Sequence, residues 1–330
     1  MKMITNGEPQ AARQAARLVT IDAEHAGRRL DNFLGTQLGK VPRGLVYRMI
    51  RGGEVRVNGS RATPAQRLQP GDRVRVPPHF AADAPDRPFS DSIRSLVLDS
   101  VLWENRLALL LNKPAGLAVH AGSGLPFGVV DVVRALRPDA PRVELVHRLD
   151  RETSGCLLLA KDASTLRALH AQLREGRMEK RYQALLHGRL PRREWTCDAP
   201  LAMVPDGRGE RRAAVAAEGQ SARTLFRAVA LFPCHTLVEV VLDTGRTHQI
   251  RAHAAHLGCP VAGDARYGDA EGDRVLRNVG LSRLFLHADQ LGFECAGHQR
   301  IDAPLPPDLR RVLEALDKES ASSAHSQEAP

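Results

Sequence analysis

The chain is poor in aromatics and cysteines and has no long apolar run, and each shortage closes off a class of protein. Aromatics make up 4% of its 330 residues, with two Trp and three Tyr. That is too few for an aromatic-lined carbohydrate cleft or a large base-stacking platform. The five cysteines, at 156, 197, 234, 259 and 295, form no C-x-x-C pair. An odd, scattered set fits reduced thiols in a cytoplasm better than a disulfide framework or a zinc knuckle. No window approaches ~18 uninterrupted apolar residues, and the densest run, Leu107–Leu111, is strand-sized. A membrane-spanning protein is therefore not expected. The N-terminal stretch mixes Glu8, Asp22 and Glu24 with scattered Arg and has no apolar h-region, so no signal peptide is readable. G-x-x-x-x-G-K-[ST], G-x-G-x-x-G and G-x-S-x-G are all missing, which removes support for nucleotide hydrolysis, dinucleotide redox chemistry and serine esterase chemistry.

What is present is length and uneven charge. At ~100–200 residues per domain, two domains are expected, and a composition of 43% hydrophobic and 26% charged residues can bury a sizeable core. Lys and Arg number 47 against 38 Asp and Glu, a net charge of +9. Residues 28–78 hold eleven of the basic residues and three of the acidic ones, a local surplus of +8. A field that concentrated is expected of a phosphate-binding module, the plain alternative being a solubilising surface. Pro42 suits the first turn of a helix to Arg51, with Leu45, Val46, Met49 and Ile50 in one arc and Arg43, Arg48 and Arg51 in the opposite one. Glu54–Val57, including Arg56, alternates as a strand; Asn58-Gly59 signals a hairpin turn and Pro70-Gly71 a second turn before the strand Asp72–Val76. The module thus reads as two short helices and a small sheet with arginines on the solvent face of both.

The expected organisation is a disordered leader over 1–18, the basic module over 19–78, a Pro- and Asp-rich linker over 79–99, a larger domain over 100–318 and a disordered tail over 319–330. In the larger domain Ser164 is placed to cap a helix carrying Leu166, Leu169 and Leu173 and ending at Gly176, and Lys180–Leu190 alternates as a strand. Thr247 is placed to cap another helix through His256. Strands outnumber helices without regular alternation, so the fold class is α+β, with a mixed, mainly antiparallel sheet.

Three stretches invite chemistry. His147, Arg148, Asp150, Arg151 and Glu152 interrupt two apolar strand segments. Asp150 among arginines fits an ionised nucleophile or electrostatic stabiliser, and equally a structural Asp–Arg pair bracing a turn. In Asp243–His256, Gly245 and Thr247 open a helix whose first turns carry Arg251, which suits an anion. His248, His253 and His256 lack H-E-x-x-H spacing and any completing Cys or acid, so no metal is expected. Tyr182, in Lys180-Arg-Tyr-Gln-Ala184, taken alone reads as a half-buried strand residue.

The run His147-Arg-Leu-Asp-Arg-Glu-Thr-Ser-Gly155 resembles the H-R-L-D-x-x-T-S-G signature of the pseudouridine synthases of the ribosomal large-subunit type. Asn112-Lys-Pro-Ala-Gly116 with Val119-His120, Lys180-x-Tyr182, Thr244-Gly-Arg-Thr-His-Gln-Ile-Arg251 and Arg283-Leu-Phe-Leu-His287-Ala match the other blocks in order. The basic module resembles an S4 RNA-binding domain, and the likeness spans roughly residues 20–315, including Gly122–Gly128 and Val41–Arg48. Glu152 and Cys156 are small departures within the signature. The resemblance implies isomerisation of uridine to pseudouridine in 23S ribosomal RNA without metal or organic cofactor, by a cytoplasmic bacterial monomer. It implies Asp150 as the catalytic carboxylate, Arg251 as its partner and Tyr182 as the group that caps the base and takes part in a late proton transfer. Arg148 enters the RNA where the uridine has left, Leu286 lines the pocket, and Arg246 and His248 are structural or contact RNA. Arg43, Arg48, Arg51 and Arg56 hold flanking RNA. A sibling synthase acting on other rRNA or tRNA uridines, and a non-catalytic ribosome assembly factor, are the alternatives. A glycoside hydrolase would need a second carboxylate, with Glu152 the nearest acid.

Overall fold

The computed structural model describes residues 16–38, 43–78, 90–121, 127–140, 142–207 and 211–327, with no side chains described at 43–44 or beyond 320. Two compact units divide the chain, Met1–Pro88 and Phe89–Pro330.

In the first unit, β1 (Arg17–Thr20) is followed by α1 (Leu30–Gln37), α2 (Arg43–Arg51), β2 (Arg56–Val57), β3 (Ser60–Arg61) and β4 (Arg73–Val76). The antiparallel sheet has the order β1-β4-β2-β3. Asn58 and Gly59 both have positive φ, 52° and 78°, the conformation a two-residue hairpin turn demands. Val46, Met49 and Ile50 of α2 are buried with Phe33, Leu34, Val55, Val57 and Val74, and Leu45 packs against them. Arg48 and Arg51 are exposed, as the helical arc predicts. Arg43 opens the helix, but its side chain, like Pro42, lies outside the described residues. Asp31, buried between the helices, accepts two hydrogen bonds from Arg29 (3.1 and 2.8 Å) and one from the Tyr47 hydroxyl (2.9 Å). The Arg29 bonds hold its carboxyl below the usual range despite burial.

The second unit begins with α3 (Asp91–Asp99), β5 (Val101–Glu104), β6 (Ala108–Lys113), α4 (Val129–Leu136), β7 (Glu144–Leu145) and β8 (Ser154–Ala160). It continues through α5 (Ala163–Arg174), β9 (Glu179–His187), β10 (Glu194–Cys197), β11 (Leu201–Pro205), β12 (Arg211–Val215), β13 (Thr224–Leu231) and β14 (His235–Leu242). Last come α6 (Gln249–His256), α7 (Ala270–Asn278), β15 (Leu286–Glu294), β16 (His298–Asp302) and α8 (Pro307–Gln327). One long sheet runs β10-β13-β14-β9-β15-β8-β6-β5, with β16 added to β15 and β7 to β8. Its pairings are antiparallel except β15 on β8, where Ser154 faces His287 and Gly155 faces Ala288. Every residue of β8 is buried, the signature of a strand covered on both faces. Leu157, Leu158 and Leu159 are each 0% exposed, and each contributes about 1.5–3 kcal/mol of burial. Gly155 has φ +112°, and a Cβ there would lie 2.2 Å from the Ala288 carbonyl oxygen. Only glycine lets the two strands come this close.

The mixed, mainly antiparallel sheet is the one expected, but several boundaries differ. The leader read over 1–18 gives way to strand at Arg17, and residues 1–15 lie outside the described set. The linker read over 79–99 ends in α3, whose Val97 is buried in the main core and whose Ser90 hydroxyl accepts from the Ile93 amide (3.4 Å). Its residues 79–89 lie outside the described set. The tail read as disordered from 319 continues α8 to Gln327, because Leu309, Val312 and Leu316 anchor the helix and no breaker follows. Asp162, not Ser164, caps α5, accepting from the Thr165 amide at 2.8 Å while Ser164 donates to it.

Candidate active site

Four pieces of the long sheet converge at one place. The turn before β8 carries Asp150, the middle of β9 carries Tyr182, the first residue of β15 is Leu286, the loop after β14 carries Arg246 and His248, and the first turn of α6 carries Arg251. Asp150, Tyr182, Leu286, Arg246, His248 and Arg251 all line one cavity of about 100 Å³. Its mouth shares Arg148, Asp150, His248 and Arg251 with an open groove of about 850 Å³.

Local hydrogen bonding explains how each loop is held. The Thr153 amide closes the turn on the Asp150 carbonyl (3.2 Å). The buried Lys113 ammonium donates to the carbonyls of Pro114, Leu117 and Arg151 (2.7, 2.9 and 3.1 Å), locking the segment that follows Asp150. Burial pushes that amine down to about 7, while three carbonyl acceptors stabilise its charged form. On the other wall, Gln249 accepts from the Thr244 hydroxyl and the Arg246 amide and donates to the Arg223 carbonyl and Thr224 hydroxyl. With the loop fixed by Gln249, His248 rather than Thr247 becomes the N-cap of α6, in the left-handed region at φ 52° with no side-chain cap. A non-glycine residue there stores ~1–3 kcal/mol of strain, as residues beside active sites commonly do.

The centre of the site is a line of alternating charge. Arg251 Nη1 donates to Asp150 Oδ2 at 3.1 Å, while its Nε and Nη2 donate to the two oxygens of Asp264 at 2.7 and 2.8 Å. The Asp264 side chain is 0% exposed, Arg251 12% and Asp150 19%, so only Asp150 reaches the cavity with an accessible oxygen. Burial works against the Arg251 charge, but the bonds to Asp264 outweigh it and raise its affinity for the proton. Burial likewise works against ionised Asp264, and the Arg251 bonds reverse it so that the carboxyl lies below its usual range. Tyr267 supports the group from one side, its ring centroid 5.0 Å from the Arg251 guanidinium carbon and its hydroxyl 3.0 Å from His248 Nδ1. His248 Nε2 lies 3.7 Å from Asp150, and burial favours its neutral ring. Tyr182 is 8% exposed. Burial and then the Asp150 charge raise its phenol above the ordinary range, keeping the proton on the oxygen.

The predicted Asp150–Arg251 pair is thus present, with Tyr182 and Leu286 in the same cavity. Arg148 is exposed at the mouth and makes no ion pair or hydrogen bond among the described residues. Arg246 is exposed and bonds the Ser221 carbonyl (2.9 Å), leaving most of its donors free. His253 bonds Thr224 and the Ala199 carbonyl, and no group of three or more metal-ligating side chains exists among the described residues. Arg48, Arg51 and Arg56 belong to the first unit and are not among the residues lining this cavity. Sequence reading missed Asp264, Tyr267 and Lys113's clamp. The segment Gly263-Asp-Ala-Arg-Tyr-Gly268 has no periodicity, and only its acid between two glycines hinted at a shaped turn. Gly263, at φ +74°, would bring a Cβ within 2.1 Å of the Arg283 carbonyl oxygen.

Comparison with known proteins places this geometry. A family model described as RNA pseudouridylate synthase matches residues 108–256, and one described as S4 domain matches 28–74. Ribosomal large subunit pseudouridine synthase C of Escherichia coli (strain K12) is 47% identical over 309 residues, covering 92% of this chain and 97% of that protein. The chain belongs to the RNA pseudouridylate synthase family. Proteins of the same name from Yersinia pestis (48% identity, 92% and 96% covered) and Pasteurella multocida (44%, 94% and 97%) are also similar. Among solved structures, human RNA Pseudouridylate Synthase Domain Containing 4 superposes with a TM-score of 0.58 at 25% identity, over 69% of this chain and 96% of that one. Human RNA Pseudouridylate Synthase Domain Containing 1 gives 0.52 at 25%, over 66% and 94%. The pseudouridylate synthase match runs from the start of β6 to the end of α6, so it takes in Asp150, Tyr182 and Arg251 and stops before Asp264 and Leu286.

Proposed function

We propose that this pseudouridylate synthase isomerises uridine in 23S rRNA of the large ribosomal subunit, with Asp150 as its catalytic residue. The names and 44–48% identities of its full-length relatives support the substrate. The observation that carries the site is the charge line Asp264–Arg251–Asp150, which ends in one accessible carboxylate lining the cavity. The uridine swings out of its stack into that cavity, and Arg148 fills the gap it leaves. The freed base is held between Tyr182 and Leu286. The N1–C1′ bond breaks, the base turns and C5 joins C1′; C5 then gives up its proton and N1 takes one up, with no net change in oxidation state. Asp150 serves the ribose, by attack at C1′ or by taking a sugar proton. Both routes need a carboxylate oxygen at the sugar, which the bond from Arg251 holds in place. Tyr182, held protonated, is suited to hand a proton on late in the reaction. Arg246 and the exposed arginines of the S4 unit contribute phosphate contacts that give affinity rather than recognition. The enzyme works as a cytoplasmic monomer and needs no cofactor.

Release of tritium from C5-labelled uridine in unmodified 23S rRNA tests this, with products mapped by carbodiimide-stopped primer extension. The wild type should release label at discrete uridines. Asp150→Asn keeps the shape and removes the charge, so it should lose turnover by roughly 10³-fold or more while RNA affinity changes only a few-fold. Pseudouridine formation by Asp150→Asn would overturn the assignment. Wild-type release from tRNA alone would move the substrate to a sibling class.

A further inference from the structure

The small sheet of the S4 unit has two unlike faces. Val19, Val57, Val74 and Val76 point inward toward α1 and α2. The register sets the other face: Arg61 opposite Arg56, Arg56 opposite Arg75, and Arg75 opposite Leu18, with Arg73 opposite Thr20. One row of side chains therefore crosses all four strands as Leu18–Arg75–Arg56–Arg61, with neighbours ~4.8 Å apart in the hydrogen-bonding direction. All four arginines are exposed, and none pairs with a carboxylate among the described residues. Two of them give a single arm to a backbone carbonyl, Arg75 to Glu54 (2.6 Å) and Arg56 to Gly59 (3.1 Å). Like charges directly opposite each other destabilise a sheet, so the row costs the fold something that no carboxylate among the described residues offsets. Arg61 and Arg75 reach toward the turn that follows α2, Arg75 through its bond to the Glu54 carbonyl and Arg61 with its Nε 3.6 Å from where a Cβ on Gly53 would lie, while Arg48 and Arg51 are exposed on α2 itself.

We infer that this open sheet face is a second RNA contact, which grips the phosphate backbone of a duplex arm of the same RNA whose target uridine enters the catalytic cavity. The inference rests on the rRNA reading above. Charge complementarity argues for a polyanion, since guanidinium forks match phosphate oxygens two at a time. The chemistry of the face argues for a duplex. It carries no aromatic side chain, so it offers no platform for unstacked bases, and what remains is phosphate and ribose, the parts an RNA helix displays.

The test uses full-length protein and two fragments of unmodified 23S rRNA, one holding a target hairpin alone and one adding its flanking duplex. Dissociation constants are measured across a salt series, and pseudouridine formation on the short fragment is followed in parallel. Arg61→Ala/Arg75→Ala should weaken binding of the long fragment about tenfold, move the short one less than twofold, and lower the long fragment's salt slope by about 2. Arg61→Lys/Arg75→Lys should restore the slope, which separates loss of charge from damage to the fold. Equal loss on both fragments would merge this face with the α2 contact and overturn the inference, as would an unchanged slope on the long one. Failure of the wild type to modify either fragment would instead strike the rRNA reading, whatever the slopes.

Discussion

The two units of this chain treat arginine in opposite ways. In the catalytic unit Arg251 lies between Asp150 and Asp264, Arg283 meets Asp308, and Arg137 meets Glu104. In the S4 unit Arg29 is tied to Asp31 at the junction of the helices, while Arg48, Arg51, Arg56, Arg61 and Arg75 face solvent without a carboxylate among the described residues. An arginine that must hold a geometry is given an acid to bind, and Arg251, which has two, is also largely taken out of water. One that must meet a ligand is left with its donors free. The same side chain therefore acts as scaffold where it is paired and as adhesive where it is not, with the scaffold role prominent in the catalytic unit and the adhesive one in the S4 unit, and substitution should separate the two.

The largest effect is expected where scaffold and chemistry coincide. The Asp264 side chain is fully buried and fixes two arms of Arg251. Asp264→Asn should lower kcat about 100-fold, which is ~2.7 kcal/mol, while KM and RNA affinity move less than threefold. A merely structural role would move the thermal midpoint with no such split between kcat and KM, and near-normal kcat would break the contrast between the units. Next comes Glu104, whose carboxyl the Arg137 bonds, helped by Lys161, bring down to about 2 against burial. A depressed acid contributes stability above its unfolded value near 4.5 and loses it as pH falls toward 2. Glu104→Gln should cost about 2 kcal/mol at pH 7, after allowance for its partial exposure. Urea titrations should show the gap closing between about pH 4.5 and 2, and a gap constant with pH would contradict the linkage. Smallest is the S4 helix face. Arg48→Ala and Arg51→Ala should each weaken RNA binding about 3–10-fold and flatten the salt slope by ~0.7–0.9, read as a higher KM. A fall in kcat instead would mean that these arginines act as scaffold after all.

Much of this organisation can be read from the chain because it is local. Asn58-Gly59 specifies its turn, the spacing of Val46, Met49 and Ile50 specifies the buried side of α2, and His147–Gly155 marks the Asp150 turn. What escapes is non-local. Nothing near Ser154 says that its strand will lie parallel to one more than a hundred residues later. Nothing near Asp264 says that it will face Arg251, because that contact depends on the turn closed at Gly263. The helix at Asp91–Asp99 hides behind the prolines before it, and the end of α8 behind a Ser- and Ala-rich composition that helices tolerate once Leu309, Val312 and Leu316 have anchored them. The cap of α6 passes from Thr247 to His248 because Gln249, through its bonds to Arg223 and Thr224, dictates the loop from outside.

The place of β15 between β8 and β9 also bears on the order of events during synthesis. Ser154 and His287, hydrogen-bonded at 2.9 Å, are 133 positions apart. A ribosome adding ~5–20 residues per second takes several seconds to cross that interval. Throughout it the facing edges of β8 and β9 lack the strand that joins them, so Asp150 and Tyr182 belong to halves of a sheet not yet united. The cavity can close only when nearly the whole chain has emerged. Late completion leaves the nascent enzyme silent beside the RNA of the machine that is making it.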